Sequence, residues 1–190
     1  MYDKGNDVAP LFRTLTNLPY HKVKDINTFE LVGNNHNTSF GILDAALNEW
    51  VEGLNEALPR SVVKTERKIS HQTLSTSEGG LTLRVFYTIG IRFTDKSGFD
   101  IAPFGTENIE LVGLQIAKSK RGLLIDDYIM ELILIFCQKY LQRIPLIKVS
   151  MSKEGANPKS VKFFKKHDFK EMKHADDGLL ILIREEEQFY

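Results

Sequence analysis

Three groups of residues in the second half of this 190-residue chain have types and spacings suited to binding an anion or moving a proton. The first is the basic turn Lys118 to Gly122, set between an apolar strand and an apolar helix. Such a turn presents unpaired backbone N–H groups and the positive end of a helix dipole. Lys118, Lys120 and Arg121 add charge, so a phosphate-bearing ligand fits there as well as a solvated loop does. The second group is Asn157-Pro158-Lys159-Ser160, in which Asn157 is a natural N-cap and Pro158 a natural first helical residue. The third is Glu110, at the head of Glu110-Leu111-Val112-Gly113-Leu114-Gln115-Ile116. A carboxylate there could accept a proton, directly or through water, or could be a solvated strand-end charge. Glu107, His71 and His167 are the next candidates for that proton.

The elements that position these groups follow from period and punctuation. Residues 1–24 have no period and read as an irregular arm. Thr28 to Val32 reads as a short strand closed by the turn-forming run Gly33 to Asn37. A helix begins near Ser39 with Ile42, Ala45, Ala46, Glu49, Trp50, Gly53 and Leu54 on one face, and Pro59 stops it. Leu81 to Phe93 alternates apolar with polar residues, which predicts a strand with one buried face. Val62 to Leu74 is its expected antiparallel neighbour across Gly79-Gly80, and Asp95 to Gly98 is a turn. Ile109 to Ala117 is a further strand. From Asp126 the period becomes helical, with Ile129, Leu132, Ile133, Phe136, Cys137, Tyr140 and Leu141 on the buried stripe and Met130, Leu134 and Ile135 widening it. Cys137 is expected to be core packing. Pro145 ends this helix, and Leu146 to Met151 returns as a strand parallel to the preceding one by a right-handed crossover. The Asn157 helix runs to His167, and Phe169 to His174 and Leu179 to Arg184 close the chain across Asp176-Asp177-Gly178.

Composition bounds the partners. The 25 basic and 25 acidic side chains cancel, so no global field attracts nucleic acid or an anionic membrane. The lysines and phenylalanines of Lys162 to His167 read as an amphipathic surface. One cysteine rules out an internal disulfide framework, and no Cys/His cluster has zinc-site spacing. With no signal-like N-terminus and no run of about 20 apolar residues, a cytoplasmic protein is expected.

The order strand, basic turn, buried helix, strand and Asn-capped helix, with the residues Asn157 to Phe169, resembles the GNAT superfamily of acyl-CoA-dependent N-acetyltransferases. The residues carry the resemblance over roughly 105–185, and over 26–104 only the order of elements does. In that family the turn is often R-G-x-G-x-G, and its amides bind the pyrophosphate of acetyl-CoA. Arg121 and Gly122 fall on the R-G, while Leu124 and Asp126 stand where the pattern has Gly and Gly or Ala. An amide cradle needs glycine only for close approach and positive φ, and Asp126 or Asp127 is expected to turn back as the helix N-cap. Asn157 to Phe169 follows the family's Asn-led helix, with Phe164 in place of a Tyr and Asp168 in place of a Gly. That Tyr is the usual general acid, and Phe has no proton to give. The Glu110 strand is similar to the Glu-Ile-Val-x-x-x-Ile strand of the histone-acetyltransferase branch, where the Glu is the base.

The resemblance implies a single α+β domain over 1–190 with a central mixed, splayed β-sheet flanked by helices. It implies acetyl-CoA as cosubstrate and no metal. Glu110 would be catalytic, and the cofactor would contact Leu114, Gln115, Ile116, Ala117, Arg121, Gly122, Leu123, Leu124, Ile125, Asn157, Ser160 and Phe164. The acceptor would be a small-molecule amine or a protein amine, and a homodimer is allowed. The alternative is a catalytically weak or inactive module of the same fold that binds a protein partner or an acyl-CoA. Asp126 and Phe164 favour the alternative, and the Glu110 strand and Asn157 helix favour the transferase.

Overall fold

The computed structural model describes residues 26–33, 38–57, 63–75, 79–105, 107–118, 124–141, 146–152, 156–172 and 179–185. The expected arm, the Pro59 and Pro145 stops and the Asp176-Asp177-Gly178 turn lie outside these residues. Eight strands form one mixed sheet: β1 (Ile26–Val32), β2 (Lys64–Ser75), β3 (Leu81–Arg92), β4 (Gly98–Phe104), β5 (Asn108–Gln115), β6 (Ile147–Ser152), β7 (Lys170–Met172) and β8 (Leu179–Arg184). Their order is β1-β3-β4-β5-β6-β8-β7, with β2 also pairing β3. Among the described residues the helices are α1 (Thr38–Ala57), α2 (Ile125–Tyr140) and α3 (Pro158–Lys166).

Strand β4 is an addition to the elements read from the sequence. Phe99 and Ile101 are buried within a segment that Gly98, Pro103 and Gly105 make look like loop. Gly98 is needed where it stands, because a Cβ there would lie 1.9 Å from the Ile91 carbonyl oxygen. Strand β3 differs from expectation in having two buried faces. Tyr87, Ile89 and Ile91 enter the main core and Leu83 and Val85 are buried on the same face, while Arg84, Phe86, Thr88 and Arg92 are buried on the other side. The arginines are tolerated there because each meets a carboxylate: Arg84 pairs with Glu110, and Arg92 with Asp100.

The stripe of α1 is rotated from the predicted one. Phe40, Leu43, Leu47, Trp50 and Val51 are buried, whereas Ile42 is 61% exposed and Glu49 faces solvent. The segment carries apolar residues on both sides, and contact between Trp50 and the rings of Phe99 and Phe136 selects the face. In α2, Ile129, Met130, Ile133, Phe136 and Cys137 are buried, while Ile135 is half exposed. Burial pushes the Cys137 thiol up to about 12, so it packs as an apolar group.

Candidate active site

Strands β5 and β6 run parallel but pair only at Ile109↔Ile147 and Glu110↔Lys148. Beyond that point β6 stays with β8 through Ser152, and β5 stays with β4 through Gln115, so the sheet forks. The fork has a local cause. Asp100 pairs with Gly113 and Ile101 with Leu111, leaving Val112 as the extra residue of a β-bulge. A bulge bends its strand and shifts side-chain parity by one. Ile109 and Leu111 join the core before it, and Leu114 and Ile116 pack on that core after it. The apolar spacing 109, 111, 114, 116 carries this shift in the sequence, and reading the segment as an uninterrupted strand misses it. From Leu111 onward, β5 therefore offers an edge that no described strand pairs.

A cavity of 370 Å³ occupies the fork. Leu111 to Leu114 and Ile116 line one wall, Val149, Ser150 and Met151 the opposite wall, and Lys159, Ser160, Phe163 and Phe164 of α3 its side. A second cavity of 370 Å³ lies on the other face, lined by Ser70, Phe86, Asp100 and Glu110 among others. Val112 and Ser150 line both, so the two spaces adjoin at the bulge.

Glu110 sits at the apex of the fork and is 1% exposed. Its Oε1 lies 3.5 Å from Arg84 Nη1, and its Oε2 lies 3.5 Å from Lys148 Nζ. These cations are held in turn against aromatic faces, Arg84 over Phe86 at 4.8 Å and Lys148 over Phe104 at 4.5 Å. Glu110 is thus a buried ion-pair partner, not a solvated strand-end charge. Its Oε2 has no hydrogen bond, and neither do the buried hydroxyls of Ser70 and Ser150. Buried polar atoms without hydrogen bonds are uncommon, and these three, of which Glu110 Oε2 has only its ion pair with Lys148, belong to residues lining one cavity. Of the other candidate bases, His71 also lines that cavity, Glu107 is exposed, and His167 is committed to Asp127.

Helix α3 forms the outer wall and is fixed at both ends. The Asn157 Oδ1 accepts from the Ser160 backbone N–H at 2.9 Å, which caps the helix with Pro158 in its first turn. At the other end Asp168 takes a left-handed φ of 65°. Its N–H donates to the Lys165 carbonyl and that of Phe169 to the Phe164 carbonyl, while the Phe164 and Phe169 rings meet at 5.2 Å. This is a Schellman ending with its hydrophobic contact. Asp168 occupies the place of the family's glycine because Asp tolerates positive φ better than most residues. Asp127 ties α3 to the start of α2, accepting from Lys166 Nζ at 2.7 Å and lying 2.7 Å from His167 Nε2. Those two contacts, Lys166 foremost, hold the Asp127 carboxyl below the usual carboxylate range.

The start of α2 departs from expectation. Neither Asp126 nor Asp127 is its N-cap. Leu124 holds that position in a left-handed conformation, φ 58°, with no side-chain cap bond and with its side chain 68% exposed. Leu124 therefore adopts backbone angles that glycine takes without strain. With Asp127 drawn to α3, Asp126 is left lining the fork cavity, its carboxylate without a partner among the described residues.

Of the residues expected to touch a cofactor, Leu114, Ile116, Ser160 and Phe164 line the fork cavity. Gln115 is turned away and lines a separate hollow beside Arg92, because it lies on the other side of the strand from Leu114 and Ile116. The Ala117 N–H is used by Ser97 Oγ at 3.0 Å and is not free for a ligand. The Asn157 side-chain oxygen is occupied by its capping bond, and Leu124 and Ile125 precede Asp126 without lining the cavity themselves. Arg121, Gly122 and Leu123 lie outside the described residues. Sequence reading does not single out Ser150, Ser70, Arg84 or Lys148, which complete the site. Among the described residues no group of His, Cys, Asp or Glu is placed to hold a metal ion, and no helix is long and apolar enough to cross a membrane.

The fork between two parallel strands, the crossover helix α2 and the Asn-capped helix α3 make this the splayed, GNAT-like α+β architecture. No family model matches the chain, and no curated protein matches it. Solved structures that overlay on it include an acetyltransferase from Thermus thermophilus, 19% identical over 52% of this chain and 62% of that one, TM-score 0.41. A GNAT family acetyltransferase from Elizabethkingia anophelis, solved with acetyl-CoA bound, is 8% identical over 52% of this chain and 75% of that one, TM-score 0.40. An Arabidopsis thaliana protein in complex with a bisubstrate analogue containing CoA is 17% identical over 52% and 72%, TM-score 0.38. The chain spans less than two thirds of the Thermus thermophilus protein's length. At these overlaps, the functional weight falls on this chain's own strand geometry and side chains.

Proposed function

We propose that the protein is an acetyl-CoA-dependent N-acetyltransferase that transfers directly to an amine. The observation that carries this reading is that Val112 and Ser150 line both cavities, the second of which the buried Glu110 also lines. One cavity is walled by an unpaired strand edge, which suits the amide-rich arm of an acyl-CoA. Backbone N–H groups of that edge would stabilise the oxyanion that forms as the amine attacks the thioester carbon. The other cavity brings the amine to the same point. Glu110 accepts the amine proton, and because it is 1% exposed it does so through the Ser150 hydroxyl or a water. As the carbon–sulfur bond breaks, the proton returns by the same route to the sulfur, leaving an amide and free CoA thiol. Phe164 cannot supply it, whereas Ser150, common to both cavities, can relay it.

A second reading, an acyl-CoA-binding or partner-binding module without turnover, is favoured by Asp126. Its carboxylate lines the cavity at the helix start where a pyrophosphate would lie, and like charges there oppose binding. The test is a calorimetric titration with acetyl-CoA, followed by a thiol-release assay over a panel of amines. Binding with release supports the enzyme, binding without release supports the module, and no affinity for any acyl-CoA removes the enzyme and the acyl-CoA-binding module together.

A further inference from the structure

The cavity beside Glu110 continues along strand β2. Lys68, Ser70 and Gln72 share a face of β2 and line the second cavity, and Lys64, Glu66 and Lys68 line a neighbouring hollow of 630 Å³ together with Arg92 and Lys96. Lys68 is common to both, so the two form one trough. Its fixed charges are largely spent on each other. Asp100 is held by Lys68 at 2.6 Å and by Arg92, Arg92 also meets Glu66 at 3.2 Å, and Glu110 is held by Arg84 and Lys148. The balance is broken at the far end, where Lys64 and Lys96 are exposed and have no carboxylate partner among the described residues. At the near end the buried Glu110 Oε2 and the Ser70 and Ser150 hydroxyls lack hydrogen bonds.

We infer, resting on the proposed acyl transfer, that the acceptor is an amine carrying anionic groups and that it lies extended along the β2 face. Its nitrogen sits at the Ser70 and Ser150 hydroxyls beside the Glu110 carboxylate, and its carboxylates reach toward Lys64 and Lys96. Among the described residues the trough has no unspent negative charge for a polycation, which would meet the free Lys64 and Lys96 and the paired Lys68 and Arg92. The span sets the size. Lys64 precedes Ser70 by six residues of strand, roughly 20 Å at about 3.3 Å per residue. A free amino acid covers only the near end, whereas an acidic peptide of about six residues with a free N-terminal amine covers both.

The test compares aspartate, an Asp- and Glu-rich hexapeptide with a free N-terminus, propylamine and spermidine as acceptors with acetyl-CoA. The hexapeptide is expected to have the highest kcat/KM, falling as salt is raised. In Lys64→Glu/Lys96→Glu its advantage over propylamine is expected to drop at least about tenfold, because two attractions become repulsions. A preference for aspartate over the hexapeptide would keep the charge and refute the extended placement. Spermidine or propylamine as the best acceptor, or an unchanged ratio in the double variant, overturns the inference while acyl transfer stands. Titrating the hexapeptide and spermidine into the full chain without acetyl-CoA reads the trough independently of turnover. Equal or tighter spermidine binding overturns the inference even if no amine is acetylated, and failure of acetyl-CoA to bind overturns the proposed function instead.

Discussion

Replacing Glu110 by Gln tests the apex of the fork, and burial makes the result two-sided. Each of its cation contacts is 3.5 Å long. At an effective dielectric of about 20, a pair at that distance gains roughly 5 kcal/mol before desolvation is subtracted. Removing one member of a buried pair costs about 3–5 kcal/mol, because the partner's charge stays buried and unmatched. Here Arg84 and Lys148 each keep an aromatic face, and such contacts are worth about 0.5–2 kcal/mol. The Gln amide oxygen can also still accept from Arg84. The expected loss is therefore about 2–4 kcal/mol, read as a lower urea midpoint at unchanged m-value. A domain with about 5–15 kcal/mol of stability survives it.

Turnover on any accepted amine is expected to fall at least about 100-fold, while acetyl-CoA affinity holds. Because one substitution touches fold and chemistry together, Glu110→Gln/Lys148→Gln separates them. Removing the second charge should recover part of the lost stability. If Glu110 is the base, the rate stays low in the double variant. A rate that recovers along with stability would refute the assignment and leave Glu110 as a structural counter-ion, and a stability loss below about 0.5 kcal/mol in the single variant would refute the pairing argument.

Asp126→Asn removes a carboxylate from the cavity wall without removing a cap, so acetyl-CoA affinity should rise several-fold in a calorimetric titration with stability nearly unchanged; no rise would mean the phosphates lie elsewhere. Ser150→Ala should lower kcat by about 10²-fold with acetyl-CoA affinity retained, and Phe164→Tyr in that background should restore part of it, since a positioned proton donor is typically worth that much; failure of both places proton return elsewhere. Leu124→Gly should stabilise by about 1 kcal/mol, the cost of a left-handed conformation for a residue with a Cβ; a destabilised variant would show that this Leu makes a contact that outweighs its strain. The Asp127 carboxyl titrates lower in the folded chain than in the unfolded one, so its contribution is present above about pH 4 and lost as pH falls toward the folded value. In Asp127→Asn the acid loss of stability below about pH 4 should be shallower, checked by urea midpoints across pH.

The order of elements from Ile109 onward is legible because punctuation and period agree there. Pro158 behind Asn157 and the helical stripe of α2 each signal one structure. What escapes reading shares a physical cause: side chains that answer to partners distant in sequence. Arg84 and Arg92 look like the solvent face of β3 until Glu110 and Asp100, 26 and 8 residues away, are seen to neutralise them. The α1 stripe is ambiguous in composition, and only packing against Phe99 and Phe136 selects Trp50 with Leu43 and Leu47 over Ile42. Asp126 reads as a cap because local bonds are what a sequence displays, yet its neighbour Asp127 is drawn 40 residues away to His167 and Asp126 is left facing the cavity.

The bulge at Val112 links the two halves of the site. Before it, the strand points Glu110 away from the core toward the second cavity; after it, the reversed parity returns Leu114 and Ile116 to the core while the strand edge stays open to the fork. Without the extra residue, alternation from Leu111 would put Gly113 where Leu114 now packs, and the strand would lose the bend that parts it from β6. Gly113 suits the position beside it, since a Cβ there would lie 3.1 Å from the Asp100 Oδ2 that Lys68 holds. That carboxylate belongs to the trough on the other face. One inserted residue thus places a buried carboxylate, an unpaired backbone edge and part of the second cavity's lining within a single stretch of strand.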